Sequence, residues 1–205
     1  MTKRKIVLFG GTFDPIHLGH TAVAAVAAEN IGAEKVFFIP AKHSPLKAFF
    51  PKVNDEDRAA MITLAITDYK NFQLSDYELK KPHPSYSLET VRKFQSDYGS
   101  ETEIYWLIGA DSVEDLPLWY KTDELIDECN VSVMYRAGCK LPDFTQFTAI
   151  WGPARVEKLQ RNIIQTPLID ISSTKIRERL AAGLEVTEML HPLVIEHIRQ
   201  HGLYR

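Results

Sequence analysis

The sequence lacks several features that would place it in whole classes of protein. It has only two cysteines, Cys129 and Cys139, so we expect reduced thiols in a reducing compartment and no disulfide scaffold. No apolar run approaches the roughly 20 residues that a membrane-spanning helix needs. The apolar run 6–9 behind the basic N-terminus is far too short for a signal peptide. We therefore expect a soluble, cytoplasmic protein without a membrane partner.

The chain also lacks an excess of positive charge. Its 205 residues include 24 Lys and Arg against 27 Asp and Glu, a formal net charge of −3 at pH 7. Proteins that bind nucleic acid usually carry a basic balance, because they neutralise many backbone phosphates. We therefore expect small-molecule substrates and no nucleic-acid partner. The length suits a single domain over 1–205, with a C-terminal helical part from about residue 171; the sequence is compatible with a homo-oligomer without requiring one.

Short apolar runs alternate with helical segments along the chain. Strands are expected over 6–9, 36–39, 72–75, 104–108, 131–135 and 168–171, and helices over 20–30, 55–67, 88–94, 122–128, 173–182 and 192–200. This alternation predicts an α/β fold, a doubly wound Rossmann-like parallel sheet with helices on both faces. The segment 41–53 has no periodicity and is expected to be a loop, and 140–151 is the least readable part of the chain. Ligands bind such sheets at the carboxyl ends of strands, where Gly10 and Gly109 stand.

Segment 10–20, GGTFDPIHLGH, combines a glycine pair with two histidines. Glycines at a strand end let the backbone approach a ligand, and the N–H groups of the turn and the following helix can bind an anion. His17 and His20 share one face of the first helical turn, where both imidazoles could donate hydrogen bonds to phosphate, with Thr12 adding a hydroxyl. Metal ligation or simple helix capping are the alternatives, but nothing completes a familiar metal set, and we predict no protein-held metal.

A second anion site is expected at 171–177, ISSTKIR. Ser172 or Ser173 is a candidate N-cap for the helix that follows. Arg177, one turn into that helix, carries a guanidinium fork suited to phosphate. The alternative is an ordinary capped helix with a solvated arginine, and this segment alone does not decide between the two.

Together, these segments resemble the GxFxPxHxGH and ISSTxIR signatures of the nucleotidyltransferase superfamily. Between and after them, PSYS at 84–87, IGADS at 108–112, LWY at 118–120 and the ending GLYR are similar to landmarks of the bacterial nicotinate-nucleotide adenylyltransferases. The resemblance runs from 5 to 205 and is weakest over 140–165. It implies an enzyme of NAD biosynthesis that joins ATP and nicotinate mononucleotide into the deamido dinucleotide, releases pyrophosphate, and receives Mg²⁺ with the ATP.

The resemblance also implies roles for the matching residues. The catalytic residues would be His17 and His20, which stabilise the transition state at the α-phosphorus, and Arg177, which stabilises the leaving pyrophosphate. Contacts to ATP would come from Gly10, Gly11, Thr12, Phe13, His20, Gly109, Asp111, Ser172, Ser173, Thr174 and Arg177. Contacts to nicotinate mononucleotide would come from Thr12, Lys47, Tyr86, Ser87, Trp119, Tyr120 and Arg136. Trp119 would stack on the pyridinium ring, and backbone N–H donors near it would favour a carboxylate over an amide.

Some alternatives stay open. Leu46 stands where the family commonly has a histidine, and His43, three residues earlier, is a candidate replacement. Core packing is the alternative for Trp119, and a helix N-cap is the alternative for Asp111. Two other functions also remain: an adenylyltransferase for nicotinamide mononucleotide or phosphopantetheine, and a protein that senses nucleotides without turnover.

Overall fold

A computed structural model describes residues 3–46, 49–82, 84–136 and 141–205. In this part of the chain one sheet contains six strands, in the order β3-β2-β1-β4-β5-β6. Their bounds are β1 Arg4–Gly11, β2 Lys35–Pro40, β3 Phe72–Leu74, β4 Thr102–Gly109, β5 Asn130–Arg136 and β6 Ile163–Thr166. Every neighbouring pair is parallel. The predicted doubly wound parallel sheet is confirmed.

The helices connect these strands and have recognisable ends. Their bounds are α1 Leu18–Ile31, α2 Asp55–Ala65, α3 Tyr77–Lys80, α4 Ser87–Tyr98, α5 Thr122–Glu128, α6 Thr148–Arg161, α7 Ser173–Ala181 and α8 Pro192–His201. Gly32 ends α1 in the left-handed conformation, at φ 70°. Asn54 begins α2 by accepting the Asp57 N–H at 2.7 Å. None of the helices in the described residues is long and apolar enough to cross a bilayer.

Both faces of the sheet are buried, because helices cover each of them. Alternate residues of β1 enter two separate apolar clusters, Val7 and Phe9 in one and Ile6 and Leu8 in the other. Helices α1, α2 and α8 supply apolar side chains to the first cluster, and α4, α5 and α6 supply them to the second. This double burial is why the strands read as continuous apolar runs in the sequence.

The predicted strand at 168–171 is wrong. The last strand is β6, Ile163–Thr166, in the stretch 140–167, for which the sequence predicts no helix or strand. Ile164 is buried there, whereas Leu168 is 65% exposed. Pro167 has no N–H to continue the ladder, so 167–172 leaves the sheet and leads into α7. The same stretch holds α6, whose kink at Gly152 (φ 76°) interrupts the helical pattern.

Candidate functional site

A cavity of about 280 Å³ opens at the carboxyl ends of β1 and β4. The strand order reverses between these two strands, and doubly wound sheets bind ligands at this point. Gly10 and Gly11 of β1 and Gly109 of β4 line the cavity on the sheet side. The opposite walls include the start of α4 and the loop at Trp119.

Aromatic rings explain why β1 ends in two glycines. A Cβ on Gly10 would lie 2.6 Å from Cζ2 of Trp106, and one on Gly11 would lie 2.9 Å from Cζ of Phe13. Phe13 itself adopts the left-handed conformation, at φ 48°, and its ring is 2% exposed. Its side chain therefore supports the loop from the core, and the buried residue offers little surface to a nucleotide.

The two histidines of the loop lie together at the start of α1. Their rings stack with centroids 3.6 Å apart, and Nδ1 of His20 accepts the backbone N–H of His17 at 3.2 Å. Burial lowers the pKa of His17 to about 4, because the charged imidazolium loses its hydration. His17 is thus neutral at pH 7 in the unliganded protein. Its buried Nδ1 has no hydrogen-bond partner among the described residues.

Asp14 joins the first loop to distant parts of the chain. Its buried carboxylate accepts the Tyr204 hydroxyl on Oδ1 at 2.7 Å and the backbone N–H of Lys52 on Oδ2 at 2.8 Å. Its carbonyl oxygen accepts Nη1 of Arg177 at 2.6 Å. The C-terminus and the second predicted anion segment are therefore both attached to the loop through Asp14.

Two further carbonyl groups of the loop are held by side chains. Nη1 of Arg58, a completely buried residue of α2, donates to the Thr12 carbonyl at 2.7 Å. Its Nη2 donates to Asp55 at 2.5 Å. The hydroxyl of Ser173 donates to the Pro15 carbonyl at 2.9 Å. The backbone between Thr12 and Pro15 is thus held at three carbonyl groups.

The structure brings the segment 171–177 to the first loop, although Arg177 and Asp14 are 163 positions apart. Ser172 caps α7 by accepting the Lys175 N–H at 3.2 Å. Thr174 is exposed and accepts Nη2 of Arg177 at 3.2 Å. An ordinary capped helix with a solvated arginine does not describe this segment, because Arg177 is half-buried and bonded to the loop.

Aromatic side chains form another wall of the cavity. The rings of Tyr86 and Tyr120 stack with centroids 4.4 Å apart, and Ser87 is the first residue of α4. Trp119 lines the cavity and also packs against the core; its stacking on a substrate stays a prediction. The backbone N–H of Trp119 donates to the Leu116 carbonyl at 3.1 Å and is therefore not available to a ligand.

Other predicted site residues lie at the margin. Asp111 is exposed in a short 3-10 turn, Ala110–Ser112, whose N-cap is Gly109, so the N-cap alternative for Asp111 is wrong. Its carboxylate lies so close to Gly109 that a Cβ there would clash with it. Arg136 is exposed at the end of β5, outside the described cavity lining. Lys47 lies outside the described residues.

The loop before Lys47 contributes Leu46 to the cavity lining. His43 instead packs its ring against Phe50, with centroids 4.2 Å apart, and its carbonyl accepts the Ser85 N–H at 3.1 Å. In the described lining the imidazole of His43 does not appear. The proposed substitution of His43 for the missing histidine therefore gains no support from this arrangement.

Sequence reasoning missed four residues of this region. Asp14, Arg58 and Tyr204 hold the loop, and Glu78 lines the cavity as a buried carboxyl that accepts the Thr90 hydroxyl at 2.6 Å. Burial raises the pKa of Glu78. Asp14 and Tyr204 stand inside quoted motifs and could have been found there. Arg58 and Glu78 follow no local pattern, because only tertiary packing buries them.

Comparisons with known proteins agree on one family. Residues 8–179 match the family model described as cytidylyltransferase-like. A relative from Caldicellulosiruptor bescii is 36% identical over 208 residues, covering 98% of this chain and 99% of its own. One from Synechococcus sp. (strain JA-3-3Ab) is 35% identical over 202 residues, covering 98% and 95%. Both are named "Probable nicotinate-nucleotide adenylyltransferase".

A solved structure shares the fold across the whole chain. It is the nicotinic acid mononucleotide adenylyltransferase of Plasmodium falciparum complexed with NaAD, with a TM-score of 0.74 and 18% identity. The match covers 98% of this chain and 97% of that one. At this identity the similarity concerns the arrangement of strands and helices.

Proposed function

The chain belongs to the nicotinate-nucleotide adenylyltransferase family, and from this membership we propose how its cavity and its two loops divide one reaction between them. The enzyme transfers the adenylyl group of ATP to nicotinate mononucleotide, which gives nicotinate adenine dinucleotide and pyrophosphate in NAD biosynthesis. The observation that carries the division is the position of the aromatic cavity at the β1–β4 edge, directly beside the loop that Arg177 contacts.

The aromatic cavity takes the acceptor. Nicotinate mononucleotide has a flat cationic ring, and Trp119 offers a face on which this ring can stack, with a cation–π contribution of about 1 kcal/mol. Its carboxylate needs hydrogen-bond donors. Because the backbone N–H of Trp119 already donates to Leu116, the first backbone N–H groups of α4, at Ser87 and Leu88, are the better source. A helix N-terminus favours an anion over a neutral amide, which selects nicotinate over nicotinamide.

The two loops take the triphosphate. His17 and His20 stand at the N-terminus of α1, where the helix dipole favours phosphate. The backbone N–H groups of His17 and Leu18 already donate within the protein, so the two imidazoles are the main donors there. Neutral His17 can donate one hydrogen bond, and a bound triphosphate raises its pKa by favouring the imidazolium. A guanidinium has five N–H donors, so Arg177 can keep its contacts to Asp14 and Thr174 and still reach a phosphate oxygen. Ser172, Ser173 and Thr174 place hydroxyl groups on the same side.

The chemistry needs alignment more than proton transfer. An oxygen of the acceptor's 5′-phosphate attacks the α-phosphorus of ATP, and the bond to the bridging oxygen of the β-phosphate breaks. The electron pair leaves with pyrophosphate. The attacking phosphate is already ionised near neutral pH, so no general base and no covalent enzyme intermediate are required. His17, His20 and Arg177 stabilise the charge that accumulates on the phosphates.

Nucleotidyltransferases generally use a divalent metal ion with ATP, and we propose that Mg²⁺ arrives here on the triphosphate. Asp14 is the carboxylate within the first loop, and both of its oxygens already accept hydrogen bonds, from Lys52 and Tyr204. This residue is therefore unsuited to a protein cage. Mg²⁺ commonly keeps several waters and binds through phosphate oxygens, where it would neutralise part of their charge.

The proposed activity and the assignment of the acceptor to the cavity are tested by supplying ATP and Mg²⁺ with one acceptor at a time and measuring pyrophosphate release. Nicotinate mononucleotide should support turnover far better than nicotinamide mononucleotide, and phosphopantetheine should support none. Replacing Trp119 should raise the KM for the acceptor and leave the KM for ATP unchanged. A higher KM for ATP in that variant would contradict the assignment of the cavity.

A further inference from the structure

A second group of metal-ligating side chains lies away from the cavity, where α8 packs against α2. Asp57 of α2 and His197 and His201 of α8 each offer one ligand atom, and the three atoms lie within 4.8 Å of one another. The side chains of Asp57 and His197 are 13% and 12% exposed, whereas His201 is open to solvent. Two members are thus fixed by packing, and the third leaves an entry path.

Contacts within the group orient its potential ligand atoms. The two histidines are four positions apart and share a face of α8, with ring centroids 4.1 Å apart. Nε2 of His197 lies 2.9 Å from Oδ1 of Asp57. Nδ1 of His201 lies 2.9 Å from the His197 carbonyl oxygen. Since a carbonyl only accepts, this Nδ1 carries the proton, which leaves Nε2 of His201 with a lone pair for a metal.

We propose that Asp57, His197 and His201 bind a divalent transition metal of the zinc type, with water completing a four-coordinate shell. Two imidazoles and one carboxylate suit Zn²⁺ or Co²⁺, whereas Mg²⁺ prefers oxygen ligands. Bonds of about 2.0–2.2 Å place neighbouring ligand atoms roughly 3.3 Å apart in a tetrahedron. The ligand atoms, now within 4.8 Å of one another, would approach by up to about 1.5 Å to reach this geometry. The metal replaces the proton that His197 and Asp57 now share, and the hydrogen bond of His201 is the outer contact that orients ligating histidines.

The position of the site gives it a structural consequence. Asp57 directly precedes Arg58, which holds the Thr12 carbonyl, and His201 lies three positions before Tyr204, which holds Asp14. A metal ion between α2 and α8 therefore braces two supports of the phosphate loop. It stabilises the folded protein and takes no part in the transfer reaction.

A second His–Asp pair, His191 and Asp68, joins the regions next to α8 and α2 but lacks a third ligand. Nε2 of His191 lies 3.2 Å from Oδ2 of Asp68, and Nδ1 of His191 accepts the Leu193 N–H at 3.2 Å. In the described part of the chain this pair belongs to no metal-ligating group of three. His191→Gln therefore removes a His–Asp contact between the two regions without touching the proposed site.

The test uses the full chain, stripped of metal with a chelator and free of any histidine tag, without ATP. Co²⁺ should give a saturable visible absorption band of four-coordinate intensity at one ion per chain, and Zn²⁺ should abolish the band by displacement. At a hundredfold excess over its Kd, Zn²⁺ should raise the Tm by about 5–10 °C. Absence of a saturable band in the wild-type protein overturns the proposal.

Two variants separate the site from adventitious binding. His201→Gln should lower the affinity for Co²⁺ at least about tenfold, since it removes one of three protein ligands, and should keep the metal-free Tm because the side chain is exposed. His191→Gln should bind Co²⁺ as the wild type does. Equal affinity of His201→Gln and the wild type, or an equal loss in both variants, would refute the assignment.

Discussion

Tyr204→Phe tests whether the C-terminus supports the phosphate loop. The change removes only the hydroxyl that donates to Asp14 at 2.7 Å, and the ring keeps its packing. Burial and the neighbouring Asp14 charge raise the pKa of Tyr204, so its hydroxyl keeps its proton and remains a donor. In the variant, the buried Oδ1 of Asp14 loses the hydrogen bond from Tyr204.

The expected loss follows from the charge and burial of the acceptor. A hydrogen bond to a charged group contributes about 1.5–3 kcal/mol, which lowers the Tm of a chain of this length by about 5 °C. Because the same Asp14 receives Arg177 on its carbonyl, we also expect kcat to fall about tenfold through misplacement of the loop. The KM for nicotinate mononucleotide should not change, since Tyr204 lies outside the described cavity lining.

Calorimetric melting and steady-state pyrophosphate release measure both effects. Tyr135→Phe is the matched control, because its hydroxyl donates to Gln165 at 3.0 Å in an exposed contact. It should change stability by no more than about 0.5 kcal/mol and leave kcat unaltered. If Tyr204→Phe matches this control in both Tm and kcat, the C-terminus does not support the loop, and the reasoning from Asp14 fails.

Three further predictions concern the loop and the cavity. Trp119→Ala should raise the KM for nicotinate mononucleotide about tenfold or more through loss of stacking; an unchanged KM in acceptor titrations would remove its assigned role. His17→Gln should lower kcat about a hundredfold. The same variant should also make the free energy of unfolding less sensitive to acid. The pKa of His17 falls from 6.5 to about 4 on folding. The wild type therefore has about 3 kcal/mol of stability from neutral His17, which is present above pH 6.5 and lost as the pH falls through 4. Urea titrations at pH 7 and pH 4.5 that give parallel losses for both proteins would contradict this. Gly10→Ala should lower the free energy of unfolding by about 1–3 kcal/mol, because the new Cβ would lie 2.6 Å from the Trp106 ring. A melting curve equal to that of the wild type would show that the ring can move away.

Local patterns in the sequence predicted most of the sheet, because strands buried on both faces read as apolar runs. They failed at 168–171, where an equally apolar run follows Pro167 and leaves the sheet while β6 lies just before it. Apolar character alone does not distinguish a strand from an exposed connection. The pairing of β6 with β5 depends on the tertiary structure.

The candidate site, like the sheet, was predictable from the sequence only in part. Its glycines, histidines and α7 segment follow local patterns, and each could be identified within about ten residues of sequence. The long-range contacts that support the loop could not be predicted, since Arg58 reaches Thr12 across 46 positions and Tyr204 reaches Asp14 across 190. The low pKa of His17 could not be predicted from the sequence either, because the burial of the side chain in the folded protein causes it.

This chain moves an adenylyl group from ATP to nicotinate mononucleotide. The most direct measurement supplies ATP labelled at the α-phosphate, with Mg²⁺ and nicotinate mononucleotide, and follows the label by chromatography. The label should appear in nicotinate adenine dinucleotide while unlabelled pyrophosphate is released in equal amount. Label that remains in ADP or AMP, or a dinucleotide formed equally fast from nicotinamide mononucleotide, would contradict it.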